Sequence, residues 1–181
     1  MKKLFCACAP KAAFDHRCEL KPGLLVRRCA ACRGVLLALP DYRNWRDQHF
    51  SELPAVEPTP LPGREAPSKA RACLSCGCLM ARYRTGNAES FWLDFCPSCA
   101  LVWFDDGEWE TLEQGGLAPY LDTVLSDAWQ KRVQTQRATS YRDDLLRVRF
   151  GEETLTEIRR IKAWLTEQPN RRDILTFLAE K

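Results

Sequence analysis

The spacing of the cysteines constrains this chain more than any other feature. Of its ten cysteines, Cys73-x2-Cys76 and Cys96-x2-Cys99 form two knuckles separated by nineteen residues. That spacing lets two tight turns bring four thiolates around one tetrahedral zinc. An offset of 67 residues then lays the chain on itself, so that Cys6 falls on Cys73, Cys29 on Cys96 and Cys32 on Cys99. The match extends beyond cysteine. Leu24-Leu25-Val26 falls on Phe91-Trp92-Leu93, Val35-Leu36-Leu37 on Val102-Trp103-Phe104, Asp41 on Glu108 and Tyr42 on Trp109. Whole structural elements recur, and two Zn²⁺ per chain are expected.

The first copy departs from the pattern at one knuckle. Ala9 stands where Cys76 stands in the second copy, and the nearest thiol is Cys8, giving Cys6-x-Cys8. A Cys-x-Cys pair can bind one zinc but forfeits the usual two-residue turn. The expected first set is Cys6, Cys8, Cys29 and Cys32, with Cys18 or His16 as alternatives for either ligand of the shortened knuckle. Cys18 and Cys78 are left over and read as small, partly buried thiols.

Between the knuckles of the second copy, Leu79 to Arg84 and Phe91 to Phe95 flank the turn-forming Thr85-Gly86-Asn87, which predicts a β-hairpin. A third strand over Leu101 to Phe104 follows. Asp105 or Asp106 then stands where a helix N-cap belongs, with Glu108, Glu110 and Glu113 near the positive end of the helix dipole. Residues Cys73 to Leu112 resemble the transcription-factor-IIB-type zinc ribbons of small bacterial proteins. The elements carrying the likeness are Cys96-Pro97-Ser98-Cys99, Val102-Trp103-Phe104 and Asp106-Gly107-Glu108. The resemblance implies that Cys73, Cys76, Cys96 and Cys99 are zinc ligands. The first ribbon, Cys6 to Trp45, is a divergent member that keeps Gly34 but has Leu39-Pro40-Asp41 in place of the acidic glycine turn.

The expected fold class is a small metal-stabilised α+β protein: two tandem zinc ribbons over 1–50 and 71–116, a linker over 51–70 and an all-α tail over 117–181. In the linker, Pro54, Pro58, Pro60, Pro62 and Pro67 remove backbone donors and favour extended polyproline conformation. In the tail, Leu121, Val124, Leu125, Ala128, Trp129 and Val133 recur at helical spacing, with Pro119 suited to a first turn. Leu155, Ile158, Ile161 and Leu165 give a second helix, and Pro169-Asn170 restarts a short third one.

The net charge of +3 is unevenly spread, with +6 on residues 1–50 and −4 on residues 71–115. Each Zn²⁺ held by four thiolates adds a further −2. Only the first ribbon then keeps a positive surplus, so Arg27, Arg28, Arg33, Arg43 and Arg46 are the candidate nucleic-acid contacts. Tyr42 and Trp45, at helical spacing among them, read first as core.

No stretch approaches the ~18–20 apolar residues of a bilayer span, and no membrane partner is expected. The apolar part of the opening MKKLFCACAPKAA is far shorter than the ~7–15 residues of a secretion signal, so a cytoplasmic protein is expected. There, paired cysteines are metal ligands or redox groups rather than structural disulfides. Neither of the two histidines, His16 and His49, lies in a metalloenzyme motif, and no phosphate-binding glycine loop or activated-serine motif occurs. The expectation is a non-catalytic adaptor that binds a protein, or nucleic acid through ribbon 1, with dimerisation through the helical tail. The alternative is a redox-responsive zinc switch, since Cys-x-Cys followed by Cys-x2-Cys is similar in ligand grammar to the zinc centre of redox-regulated heat-shock chaperones.

Overall fold

The computed structural model describes residues 5, 6, 8, 14, 16–50, 71–86 and 91–180. The proline-rich linker expected over 51–70 and Asn87 of the hairpin turn lie outside the described residues. The chain divides into two compact units, Met1–Gln136 and Arg137–Lys181.

The first unit holds both copies of the repeat in a mixed α+β arrangement. In the first copy, β1 (His16–Lys21) and β2 (Leu24–Arg28) form an antiparallel hairpin, and β3 (Val35–Ala38) pairs with β2 through Arg27–Leu36 and Arg28–Val35. Helix α1 (Leu39–His49) follows at once, with Pro40 and Asp41 in its first turn. In the second copy, β4 (Ala81–Arg84), β5 (Trp92–Cys96) and β6 (Leu101–Phe104) repeat the three strands, and α2 (Glu108–Gln114) repeats the helix. The β5–β6 pair Asp94–Trp103 stands 67 residues beyond Arg27–Leu36.

The copies do not stand apart as beads on a spacer. Strands β3 and β6 pair antiparallel through Val35–Phe104, Leu36–Trp103, Leu37–Val102 and Ala38–Leu101, making one six-stranded sheet ordered β1-β2-β3-β6-β5-β4. Leu36 and Trp103 are equivalent residues of the repeat and face each other, so a local two-fold pseudo-axis passes through that pair. The side chains of a strand alternate between faces. Leu24, Val26, Val35, Leu37, Leu93, Val102 and Phe104 accordingly enter one core, whereas Leu36 and Trp103 enter a second cluster with Cys6, Cys29, Cys73 and Cys96.

Helices α1 and α2 contribute to the first core. Tyr42 and Trp45 of α1 are buried there as their helical spacing suggests, and the Trp45 and Trp109 rings meet edge to face with centroids 6.1 Å apart. The expected cap of α2 is differently made. Gly107, at φ 77°, is the N-cap, and the Glu108 carboxylate accepts the Asp105 N–H at 2.7 Å. Asp105 and Asp106 are occupied elsewhere: Asp105 accepts from Trp103 Nε1 and Arg71, and Asp106 pairs with Arg33 of the other copy.

The segment after the second ribbon also joins this unit. A 3₁₀ turn (Ala118–Tyr120), α3 (Leu121–Val124) and the start of α4 (Asp127–Phe150) place Leu117, Leu121, Val124, Trp129 and Val133 in the first core. The Tyr42 hydroxyl donates to the Ala118 carbonyl at 2.9 Å and accepts the Leu121 N–H at 3.0 Å. The compact unit therefore ends near Gln136, not at the glycine pair Gly115-Gly116.

The second unit holds the end of α4, then α5 (Glu152–Thr166) after Gly151 at φ 77°, and α6 (Arg171–Ala179). Arg159 of α5 pairs with Asp143 of α4 at 3.1 Å, and Leu155 is buried. Ile158, Ile161, Trp164 and Phe177 are exposed.

Gly34 has a steric reason to be glycine. A Cβ there would lie 2.2 Å from the Trp103 ring, and a fixed indole between two strands cannot move aside easily. Gly34→Ala is expected to destabilise the metal-loaded protein by about 1–3 kcal/mol, read as a lowered midpoint of denaturant unfolding. An unchanged midpoint would show that Trp103 does not seat on the backbone at Gly34.

Candidate metal centres

The knuckles are built by backbone geometry before any metal is considered. The Arg33 N–H donates to the Cys29 carbonyl at 2.9 Å and the Gly77 N–H to the Cys73 carbonyl at 2.8 Å. In three of the knuckles the residue after the second cysteine then turns into the left-handed region, with Arg33 at φ 59°, Gly77 at 78° and Ala100 at 52°. For the two non-glycine residues this conformation costs about 1–2 kcal/mol. Arg33 and Ala100 are equivalent positions of the repeat, which marks the turn as a property of the knuckle.

Two sets of four sulfurs result. The Sγ atoms of Cys6, Cys8, Cys29 and Cys32 all lie within 4.8 Å of one another, and so do those of Cys73, Cys76, Cys96 and Cys99. Cys6–Cys32, Cys8–Cys29 and Cys76–Cys96 are separated by 3.7, 3.5 and 3.6 Å. A tetrahedron with metal–sulfur bonds of about 2.3 Å has edges of about 3.8 Å, so the donor sets fit a tetrahedral ion. All ten cysteines are free thiols. The shortened first knuckle reaches the same arrangement as the second: Cys8 and Cys76 are the exposed members, and each approaches the equivalent buried cysteine, Cys29 or Cys96.

Electrostatics inside each set favours a cation. Burial pushes the Cys29 thiol up, but the N–H groups of Cys32 and Ala31 and the Cys8 thiol outweigh it and bring it down to about 7. The backbone at Cys78, followed by the Cys96 and Cys99 thiols, lowers exposed Cys76 to about 6. Burial raises the Cys6 and Cys32 thiols, with the Cys8 and Cys29 thiols adding to the rise, and burial pushes Cys96 up to about 12. In the first set Cys29 thus ionises readily while Cys6 and Cys32 resist, and in the second Cys76 does so while Cys96 resists, chiefly because burial disfavours the charged thiolate. A divalent ion removes that conflict by holding every sulfur as thiolate.

Of the alternatives for the first site, Cys18 stands apart from the sulfur set. Cys18 is opposite Val26 in the β1–β2 ladder and packs against the first core, away from the thiol-bearing cluster. The backbone of His16 pairs with Arg28 at the start of β1. Cys78 is exposed, and its carbonyl accepts the Cys73 N–H at 2.8 Å.

Three of the five candidate arginines are engaged by carboxylates. Arg33 pairs with Asp106, while Arg43 and Arg46 pair with Asp122 at 2.7 and 2.6 Å. Arg27 and Arg28 lie in β2 without ion pairs to described residues.

Sequence reasoning missed the residues between the two sulfur sets. Trp103 meets Phe14 with ring centroids 5.4 Å apart and planes tilted by 33°, and carries the Arg71 guanidinium 4.0 Å from its ring centre. Beside it, Asp94 is buried, which pushes its carboxyl up against the opposing pull of Arg82 and Arg71. Strict alternation along Val102-Trp103-Phe104 was the available signal, because it sends Trp103 to the face opposite its neighbours.

Comparison with family models, with curated proteins and with solved structures finds no match for this chain.

The two sets should lose metal independently. In native mass spectrometry, Cys29→Ser and Cys99→Ser are each expected to remove one metal ion and leave the other bound. Because Cys29 and Cys76 are held low, they remain thiolates down to about pH 7 and 6 and are protonated below. Metal affinity should therefore fall as pH drops through that window, roughly tenfold per pH unit for each proton displaced. Affinity independent of pH from 8 to 5 would exclude thiolate ligation.

Proposed function

We propose that the chain is a non-catalytic zinc-binding adaptor, and one observation carries the reading. Each repeat gathers four thiols into a closed donor set, whereas a catalytic zinc keeps a coordination position for water or substrate. Four soft sulfur donors in tetrahedral array select zinc or iron among the common metals. Zinc is the better fit for a structural role, because it brings no redox chemistry and its binding energy becomes folding energy. The likeness of Cys73 to Leu112 to transcription-factor-IIB-type ribbons supports a transcription-related role for the adaptor.

The ion pairs of Arg33, Arg43 and Arg46 favour a protein partner over nucleic acid, since these side chains are already spent on carboxylates. The exposed apolar residues of α5 and α6 offer a second surface, suited to dimerisation. No helix among the described residues is long and apolar enough to cross a membrane, and a reducing cytoplasm would keep the eight clustered thiols available to metal.

Elemental analysis of native protein should give two zinc ions per chain, and cobalt substitution should give the intense visible bands of tetrahedral thiolate sites. Zinc-loaded protein should retain a reproducible partner from lysate, unaffected by nuclease. Iron in place of zinc would overturn the metal assignment, and loss of capture after nuclease would move the partner to nucleic acid.

A second reading, a redox-responsive switch, draws on the exposure of Cys8, Cys76 and Cys78. Here peroxide would accept two electrons from a thiolate pair, forming one sulfur–sulfur bond and two hydroxide ions, and zinc would leave with the lost ligands. Under mild peroxide the adaptor reading expects no zinc release and an unchanged helical signal. Rapid release of one zinc per disulfide would favour the switch.

A further inference from the structure

The first unit contains a cleft of about 670 Å³ whose lining includes Cys99 of the second sulfur set. Its volume lies within the roughly 300–1,000 Å³ usual for ligand sites. Leu25 and Leu101 give it apolar surface above the buried Leu36, and Leu25 is 48% exposed. Arg17 and Arg27 add two guanidinium groups.

Those arginines are placed at a cost. They are direct partners in the β1–β2 ladder, and like charges opposite each other destabilise an antiparallel pair. Neither makes an ion pair with a described residue, in contrast to Arg33, Arg43 and Arg46. The acids on the same ladder and in the same cleft do not relieve them. Glu19 stands opposite Leu25 two residue pairs along the ladder, and Asp41 lines the cleft from α1, yet neither pairs with Arg17 or Arg27. A carboxylate from outside would meet two planar donor forks, which suit it bidentately.

We propose that this cleft binds a short acidic segment of a partner protein, with a Glu or Asp carboxylate between Arg17 and Arg27 and apolar neighbours on Leu25 and Leu101. The charge of the lining selects a peptide over nucleic acid. Cys99 belongs to a set that carries −2 when it holds zinc, and Asp41 adds another negative charge. A continuous phosphate chain would be repelled there, while a segment with one or two carboxylates among apolar residues meets both parts of the surface. The proposal rests on the zinc-adaptor reading for the sign of the charge at Cys99.

The test pans the full, zinc-loaded chain against a displayed random heptapeptide library. Recovered peptides should carry Glu or Asp flanked by apolar residues. The affinity of a synthesised representative should fall at least about tenfold in Arg17→Gln/Arg27→Gln, while Arg142→Gln on α4 leaves it unchanged. Zinc content and melting temperature of the double variant should be retained or raised, since a like-charge opposition is removed. Recovery of no peptide, of peptides without acidic residues, or of peptides that bind the double variant equally well would overturn the proposal. So would a fluorescent oligothymidylate that binds the chain and is lost from the double variant. A double variant that keeps its nuclease-resistant lysate partner overturns the cleft alone and leaves the adaptor reading in place.

Discussion

The pairing of β3 with β6 is the contact on which the rest of the first unit depends. Each repeat by itself supplies three short strands and one helix, too little to enclose a core. Joining the third strands edge to edge makes one sheet whose first face collects Leu37, Phe104, Trp109 and Tyr42 into a single buried cluster. It also closes the inner edge of each hairpin, which would otherwise stand open as a template for unwanted pairing. The opposite face receives Leu36 and Trp103, and these fill the space between the two sulfur sets.

Interactions away from the sheet reinforce that join. Arg33 and Asp106 link the first repeat's knuckle to the turn before α2, and the Leu39 N–H donates to the Ala100 carbonyl at 2.8 Å. Tyr42, Arg43 and Arg46 tie α1 to the segment around α3 through buried hydrogen bonds and ion pairs to Asp122. Surface ion pairs are worth little singly. Tyr42 is of another kind, because its hydroxyl satisfies a carbonyl and an N–H that would otherwise be buried without partners.

Local chemistry was legible in the sequence and long-range pairing was not. The 67-residue offset and the knuckle spacing located seven of the eight cysteines that the structure gathers into two sets, Cys8 being chosen only as the thiol nearest to Ala9, and turn residues with the repeat located the hairpins. Helical spacing placed Leu121, Val124, Trp129 and Val133 on one face, but gave no sign of what that face covers. The β3–β6 join escaped because an edge strand carries no mark of its partner: Val35-Leu36-Leu37 reads equally well as the outer strand of a free ribbon. The arginines illustrate the same limit. Their count on residues 1–50 suggested a phosphate-binding face, yet Asp106 and Asp122, which neutralise three of them, come from beyond residue 100.

Equivalent residues facing each other across β3 and β6 reproduce the geometry of two identical subunits meeting about a two-fold axis. In a single polypeptide that meeting is no longer a matter of dilution, because tethering converts association into an intramolecular event at fixed effective concentration. Freed from having to match itself, each half can specialise: Leu36 faces Trp103, and Arg27 holds the place that Asp94 holds in the other half. A symmetric dimer would have to repeat its charges on both sides, whereas covalent fusion permits one half to be cationic and the other anionic within the same assembly.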